Sequence, residues 1–285
     1  MDKVFQIGEF CFRLIVDENI LVPENFMLFA RDDNGKVSFT YEVKAVTELD
    51  ALTGRVLATR DDLIVYDNGV GESRLIGVKQ SGTNYASYQE VSKDHAVIQV
   101  VKSKLEGLRL DTVFSSLLAL ERRMYECDSM VLHCAYLQWN EQAILFSAPS
   151  GVGKSTQAEL WEEYRGGKTI NGDRGLLRKE EGQWMVDGWP VCGSSKICYN
   201  KKMPIRAIVM LYQAQENTVR RLRPVEAFKK IYGQITVNGW NAKQGNQCVG
   251  MLEQLVQEVE VYELGCTISK NAVEVLEKGL KEDEV

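Results

Sequence analysis

The sequence predicts an α/β protein of two parts, a β-rich region over residues 1–130 and a mixed-sheet α/β domain over residues 131–285. Three observations carry this expectation. Short apolar alternations punctuated by Asn-Gly turns fill the first part, a helical periodicity closes it, and strand-like and helix-like segments then alternate around a glycine-rich loop.

In the first part, Phe10, Phe12, Leu14 and Val16 alternate with Cys11, Arg13 and Ile15, the period of two that marks a half-buried strand. Asp33-Asn34-Gly35 lies between Phe26-Met27-Leu28-Phe29 and Val37-Ser38-Phe39-Thr40-Tyr41, and Asp67-Asn68-Gly69 follows Leu63-Ile64-Val65-Tyr66. Asn-Gly accepts the positive φ of tight turns, so two hairpins and an antiparallel sheet are expected. No catalytic constellation occurs here, and the expected role of this part is packing, partner contact or acceptor docking. Asp111 then reads as the N-cap of one connecting helix in which Val113, Leu117, Leu120 and Met124 recur at helical spacing.

Beyond Met130, Gln142–Phe146 reads as a strand and Thr156–Tyr164 as a helix stopped by Gly166-Gly167. Strands are expected at 168–170, 176–178, 205–212 and 259–264, and helices at 225–235, 249–256 and 271–280. The charged tail Lys281-Glu282-Asp283-Glu284 is expected to fray.

Composition narrows the function. The chain has 285 residues, 45% of them hydrophobic, enough for a packed core. A net charge of -6 argues against the basic stripe of a nucleic-acid binder, and Arg220, Arg221 and Arg223 read as a solvated edge. No apolar run reaches a membrane span and no signal peptide opens the chain, so a cytoplasmic protein is expected. The seven cysteines are odd in number and scattered, the pattern of reduced, buried thiols, and Cys192 and Cys198 lack the partners of a zinc site.

The chemistry sits in Ala148-Pro149-Ser150-Gly151-Val152-Gly153-Lys154-Ser155, a phosphate-loop pattern with Ala in place of the first Gly. A loop that leaves a strand and opens a helix aims backbone N–H groups and the helix dipole at phosphate oxygens. Ser150, Gly151, Val152, Gly153, Lys154, Ser155 and Thr156 are therefore the candidate nucleotide-binding residues. Lys154 reaches the β- and γ-phosphates, and the Ser155 hydroxyl ligates Mg²⁺. His133 lies upstream in Leu132-His133-Cys134-Ala135 and Asp173 downstream in Ile170-Asn171-Gly172-Asp173.

These three stretches, in this order and spacing, resemble the HPr kinase/phosphorylase family and its distant relatives, the phosphoenolpyruvate carboxykinases. The resemblance spans residues 131–173, and a looser likeness through Gly188-Trp189-Pro190-Val191-Cys192-Gly193 is similar to HPr-kinase-like proteins encoded with modified-peptide biosynthesis genes. It implies a P-loop kinase domain of HPr kinase type, with Asp173, His133 and Lys154 in catalysis and Ser155 and Asp173 on the metal. Asp173 would be proton acceptor or metal ligand. Two departures stand out: Arg174 follows Asp173 where the family often has a second acid, and the Arg-Gly-rich signature and metal-binding Glu of true HPr kinases have no counterpart.

The function expected is an ATP- and Mg²⁺-dependent kinase acting on a hydroxyl of a peptide, a protein or a small serine-like molecule. Lys196 is a weaker candidate for acceptor or phosphate contact. The alternative is a non-catalytic nucleotide-binding scaffold or sensor. Neither nucleic acid nor membrane is an expected partner, and self-association into a homo-oligomer stays open.

Overall fold

The computed structural model describes residues 1–79 and 82–282 and divides into two compact units, Met1–Leu120 and Glu121–Val285. Both are built on large mixed sheets, so the chain is of the mixed α/β class.

The first unit contains β1 (Asp2–Ile7), β2 (Phe10–Val16), α1 (Glu24–Met27), β3 (Ala30–Arg31), β4 (Phe39–Val46), β5 (Arg55–Arg60), β6 (Leu63–Asp67), β7 (Glu72–Gly77), β8 (Asn84–Ser92), β9 (His95–Val101) and α2 (Asp111–Leu117). Among the described residues these strands form one sheet in the order β3-β1-β2-β4-β9-β8-β7-β6-β5. The expected hairpin at Asp67-Asn68-Gly69 joins β6 to β7, with Gly69 at φ +83° and the Asp67 carboxylate accepting the Gly69 N–H. The one expected at Asp33-Asn34-Gly35 is a turn without a hairpin. Gly35 has φ +73°, yet Phe26 sits in α1 and packs on Phe5 and Phe114, while β4 runs parallel to both β2 and β9. The sheet is therefore mixed rather than antiparallel.

The connecting helix is also two pieces. α2 ends at Leu117, Ala119 takes φ +47°, and α3 (Leu120–Glu126) begins anew. Leu117, Leu118 and Ala119 are all fully buried, so tertiary packing overrides a continuous helical pattern that no Gly or Pro interrupts. Asp111 is the first residue of α2 rather than its N-cap, a place taken by Leu110, and its carboxylate accepts the Thr112 N–H at 2.6 Å.

The second unit continues with β10 (Ser129–Trp139), β11 (Gln142–Ser147), α4 (Lys154–Arg165), β12 (Lys168–Asn171), β13 (Arg174–Glu180), β14 (Gln183–Asp187), β15 (Met203–Gln213), β16 (Thr218–Arg221), α5 (Pro224–Tyr232), α6 (Ala242–Glu258), β17 (Val261–Cys266) and α7 (Lys270–Glu282). Tyr125 of α3 belongs to this unit's core, and its hydroxyl donates to the Thr236 carbonyl. That places the division earlier than Met130. Asp283 and Glu284 of the expected frayed tail lie outside the described residues, whereas Lys281 and Glu282 continue α7.

The strands pair along β11-β10-β13-β14-β15-β17-β16, with β12 also on β10. Since β11 pairs in parallel with β15, the path closes on itself through β10, β13 and β14. Period-two alternation sorts side chains onto two faces. Leu132, Cys134, Tyr136, Leu145 and Ile208 meet Ile231 of α5 and Leu252 of α6. Ala135, Leu137, Ile144, Phe146 and Val209 meet Trp161 of α4 and Leu276 of α7. Trp161 is fully buried with its ring edge-on to Trp139, the centroids 5.0 Å apart.

Among the described residues no helix is long and apolar enough to cross a membrane. All seven cysteines are free, and all but Cys127 are buried. Arg220 pairs with Glu263 and Glu226, Arg221 with Glu260, and Arg223 with Glu226, so this basic edge is neutralised by neighbouring acids.

The five tryptophans, at 139, 161, 184, 189 and 240, all lie in the second unit, so their fluorescence reports its unfolding separately. Leu252 is fully buried between α6 and the sheet. Leu252→Ala is expected to destabilise this unit by about 2–5 kcal/mol in urea titration. A loss below about 1 kcal/mol would contradict the packing described.

Candidate functional site

Three elements deliver the site to one end of the second sheet. β10 pairs with β11 on one side, Cys134 opposite Ser147, and with β13 on the other, His133 opposite Arg174. β11 runs directly into the glycine-rich loop, and the Ser147 hydroxyl donates to the His133 carbonyl at 2.8 Å. The loop start, His133 and the strand carrying Arg174 are thus fixed at one level by ladder register alone.

Gly151 and Gly153 sit at φ +82° and +118°, and a Cβ at either would meet nothing within 4 Å. Positive φ is costly for other residues, and the open side is where a ligand can approach the backbone. α4 begins at Lys154 with no side chain capping its first turn, leaving its N–H groups and dipole to an anion. The Lys154 side chain is buried, and its ammonium donates to the carbonyls of Ala148 at 3.1 Å and Pro149 at 3.5 Å. Burial lowers the Lys154 pKa, while the charge of Asp173 opposes that shift. A phosphate at the loop would act with Asp173 to favour the charged form.

Asp173 occupies a break between two strands. β12 and β13 both run antiparallel to β10, Asn171 opposite Tyr136 and Arg174 opposite His133, and Gly172-Asp173 bridges them. The Asn171 side-chain oxygen accepts the N–H groups of Asp173 and Arg174, each at 2.9 Å. This Asx-type turn satisfies the two N–H groups locally, while the Asp173 carbonyl still accepts the Cys134 N–H of β10 at 3.0 Å, and it releases the Asp173 side chain from the strand alternation. Its carboxylate then lies 3.5 Å from His133 Nε2 and 3.1 Å from Arg174 Nε. Arg174 also donates to the Thr236 hydroxyl at 3.0 Å. Burial raises the Asp173 pKa, but contact with His133 and the charges of Arg174, His133 and Lys154 outweigh it, and the net direction is down.

The expected residues His133, Lys154 and Asp173 therefore form one electrostatically connected cluster beside the loop. Lys196 stays exposed at φ +56° on the segment after β14. For a cation, the candidate donors are Ser155 in the first turn of α4 and Asp173. No group of three His, Cys, Asp or Glu side chains among the described residues could hold a metal by itself. A cation completed by phosphate oxygens and water fits this donor set, which is the habit of Mg²⁺.

Residues 97–281, well over half of the chain, match the model of a family described as SynChlorMet cassette protein ScmC. The chain belongs to the ScmC family. The span shared with ScmC includes the loop, His133 and Asp173. A solved structure, the HPr(Ser) kinase/phosphatase from Coxiella burnetii, is similar over 54% of this chain and 99% of that one, at 10% identity and a TM-score of 0.32. Similarity at that level carries no argument about activity. Comparison with curated proteins finds no match.

Sequence reasoning passed over two features of this ScmC-family site. Asn171 looks like an ordinary turn residue, and only its burial and bonds reveal more. Gly172 and Gly193 are the other: a Cβ on Gly172 would lie 2.0 Å from Ser195 Oγ, and one on Gly193 only 3.2 Å from the Asp173 carboxyl. The segment after β14 thus packs directly on the carboxylate turn.

Gly172→Ala is expected to cost about 1–3 kcal/mol through this overlap. Ser195→Gly removes both atoms that the new methyl would overlap, leaving only the Cys192 carbonyl at an ordinary 3.7 Å, so the double variant should recover most of the loss. A coupling below about 0.5 kcal/mol in the double-mutant cycle would contradict the close packing.

Proposed function

We propose that this chain is an ATP- and Mg²⁺-dependent kinase that transfers the γ-phosphoryl group to a hydroxyl of a peptide, a protein or a small serine-like molecule. One observation carries the reading: a buried loop lysine at a bare helix N-terminus and an ionised aspartate paired with histidine share one sheet end. Phosphoryl transfer needs little covalent help from a protein. Its transition state spreads charge over the moving group, so positioning and electrostatics do most of the catalysis.

In this reading the loop N–H groups and Lys154 bind the β- and γ-phosphates, and Ser155 and Asp173 hold Mg²⁺. Mg²⁺ held there would supply charge that offsets the phosphates. The lowered pKa of Asp173 makes it a weak proton acceptor. General bases work best with a pKa near the working pH, so metal ligand or orienting anion suits it better than base. His133, on the same carboxylate, orients Asp173 or a phosphate oxygen.

A second reading has an observation of its own. Arg174 pairs with the second oxygen of Asp173 and stands in the sequence position where the resemblance would put a second acid, which suits a nucleotide-binding scaffold or sensor that turns over slowly. Acceptor-dependent release of ADP favours the kinase; slow hydrolysis indifferent to every acceptor favours the sensor.

Lys154→Ala is expected to weaken MgATP binding tenfold or more in calorimetry, since hydrogen bonds to charged groups are worth about 1.5–3 kcal/mol. Unchanged affinity in the folded variant would remove the loop from the account. Asp173→Asn keeps the shape and removes the charge. Transfer should fall by about a hundredfold or more while MgATP affinity moves little, because the benefit appears along the reaction path. Full activity in this variant would reduce Asp173 to a turn residue.

A further inference from the structure

We propose that Asn171 is a positioning residue that makes the Gly172–Arg174 turn and the strap following β14 move as one body, so that the strap sets where the Asp173 carboxylate stands. The kinetic half of this inference rests on the kinase reading; the structural half does not. Asn171 is completely buried, and its carboxamide satisfies four hydrogen bonds. The oxygen accepts from the N–H groups of Asp173 and Arg174, and the nitrogen donates to the carbonyls of Trp189 at 2.8 Å and Val191 at 3.0 Å. One planar group thus ties the carboxylate turn to the start of the strap.

The far end of the strap is tied to the same strand. The Tyr199 N–H donates to the Ile170 carbonyl at 3.0 Å and the Gly172 N–H to the Ile197 carbonyl at 3.4 Å. Between these anchors Gly193 rests against the Asp173 carboxyl and Ser195 against Gly172. Ser195 is committed to this shape, donating to the Cys192 carbonyl at 2.7 Å and accepting the Ile197 N–H at 3.2 Å. A side chain that only closed a turn would not need the two strap carbonyls. An acceptor pressing on the exposed Ser194 and Lys196 would be felt at Asp173 through this amide.

Two substitutions separate the halves of the clamp. In Asn171→Asp the carboxylate can still accept both turn N–H groups but cannot donate to the strap. Asn171→Ser keeps one short acceptor, adds no buried charge, and is too short to reach the strap carbonyls. Hydrogen exchange of the whole protein reads the result. In Asn171→Asp, the amides of Ile197 and Tyr199 should exchange at least tenfold faster, while those of Asp173 and Arg174 stay within about threefold of the parent. In Asn171→Ser the strap amides should again speed up by at least tenfold, which keeps the test intact if the Asp variant does not fold. Turnover of MgATP, with water as acceptor, should fall at least tenfold in either folded variant, with the KM for MgATP within about threefold. Strap amides that exchange at the parent rate, or turn and strap amides that speed up equally in Asn171→Asp, would overturn the clamp. Changed exchange with unchanged turnover would overturn the positioning role. Should the parent protein turn over no MgATP with water or with any hydroxyl acceptor offered, the kinase reading fails, and the exchange pattern still decides the clamp.

Discussion

The candidate site depends on β10 being paired on both flanks at the level of His133. On one flank β11 ends where the loop begins; on the other, the junction of β12 and β13 supplies Asp173. Ladder register fixes separations to a fraction of a residue, and a slip of one residue would turn every side chain of the strand to the opposite face. The two apolar faces of β10, one against α5 and α6 and the other against α4 and α7, make such a slip prohibitive. Packing on both sides thus fixes the chemistry in place.

Within that frame the charges balance locally. Lys154 is held in a buried mouth against two carbonyls and feels Asp173, while Asp173 is held ionised by Arg174 and His133. Because the folded pKa of Asp173 lies below its unfolded value, the associated stability is fully present above the unfolded value, about 3.9, and is lost as the pH falls through the folded one. In the proposed reading, this cluster would receive a polyanion accompanied by a divalent cation at neutral pH. Arg174 follows Asp173 where the resemblance would place a second acid, and in the proposed reading its charge on the carboxylate favours charge positioning over proton abstraction.

Much of this was legible in the sequence because its signals are local. The glycine spacing of the loop, the alternation along β2 and the Asn68-Gly69 turn each act within a few residues, and each forms as expected. The misreadings have long-range causes. Asn34-Gly35 turns the chain, but partner choice between strands is tertiary, and β4 lies parallel to β2 and β9. The helix from Asp111 breaks at Ala119 because three consecutive residues are drawn into the core. α6 starts at Ala242 rather than near residue 249, since Lys243, Asn246 and Gln247 conceal its periodicity while Asn241 caps it. β14 was passed over although Glu181-Gly182 marks its turn and Trp184 and Val186 its buried face. Asn171 left no signal at all, because a buried carboxamide clamp is written in hydrogen bonds rather than in residue pattern.

The central claim is that a metal-nucleotide complex on the loop sits beside the His133–Asp173 pair. Mn²⁺ in place of Mg²⁺ tests it directly, because a paramagnetic ion broadens the proton resonances of nearby groups. Added MnATP should broaden the imidazole signals of His133 at substoichiometric amounts, and excess MgATP should restore them. His133 signals that stay sharp while MnATP is bound would place the nucleotide elsewhere and contradict the account.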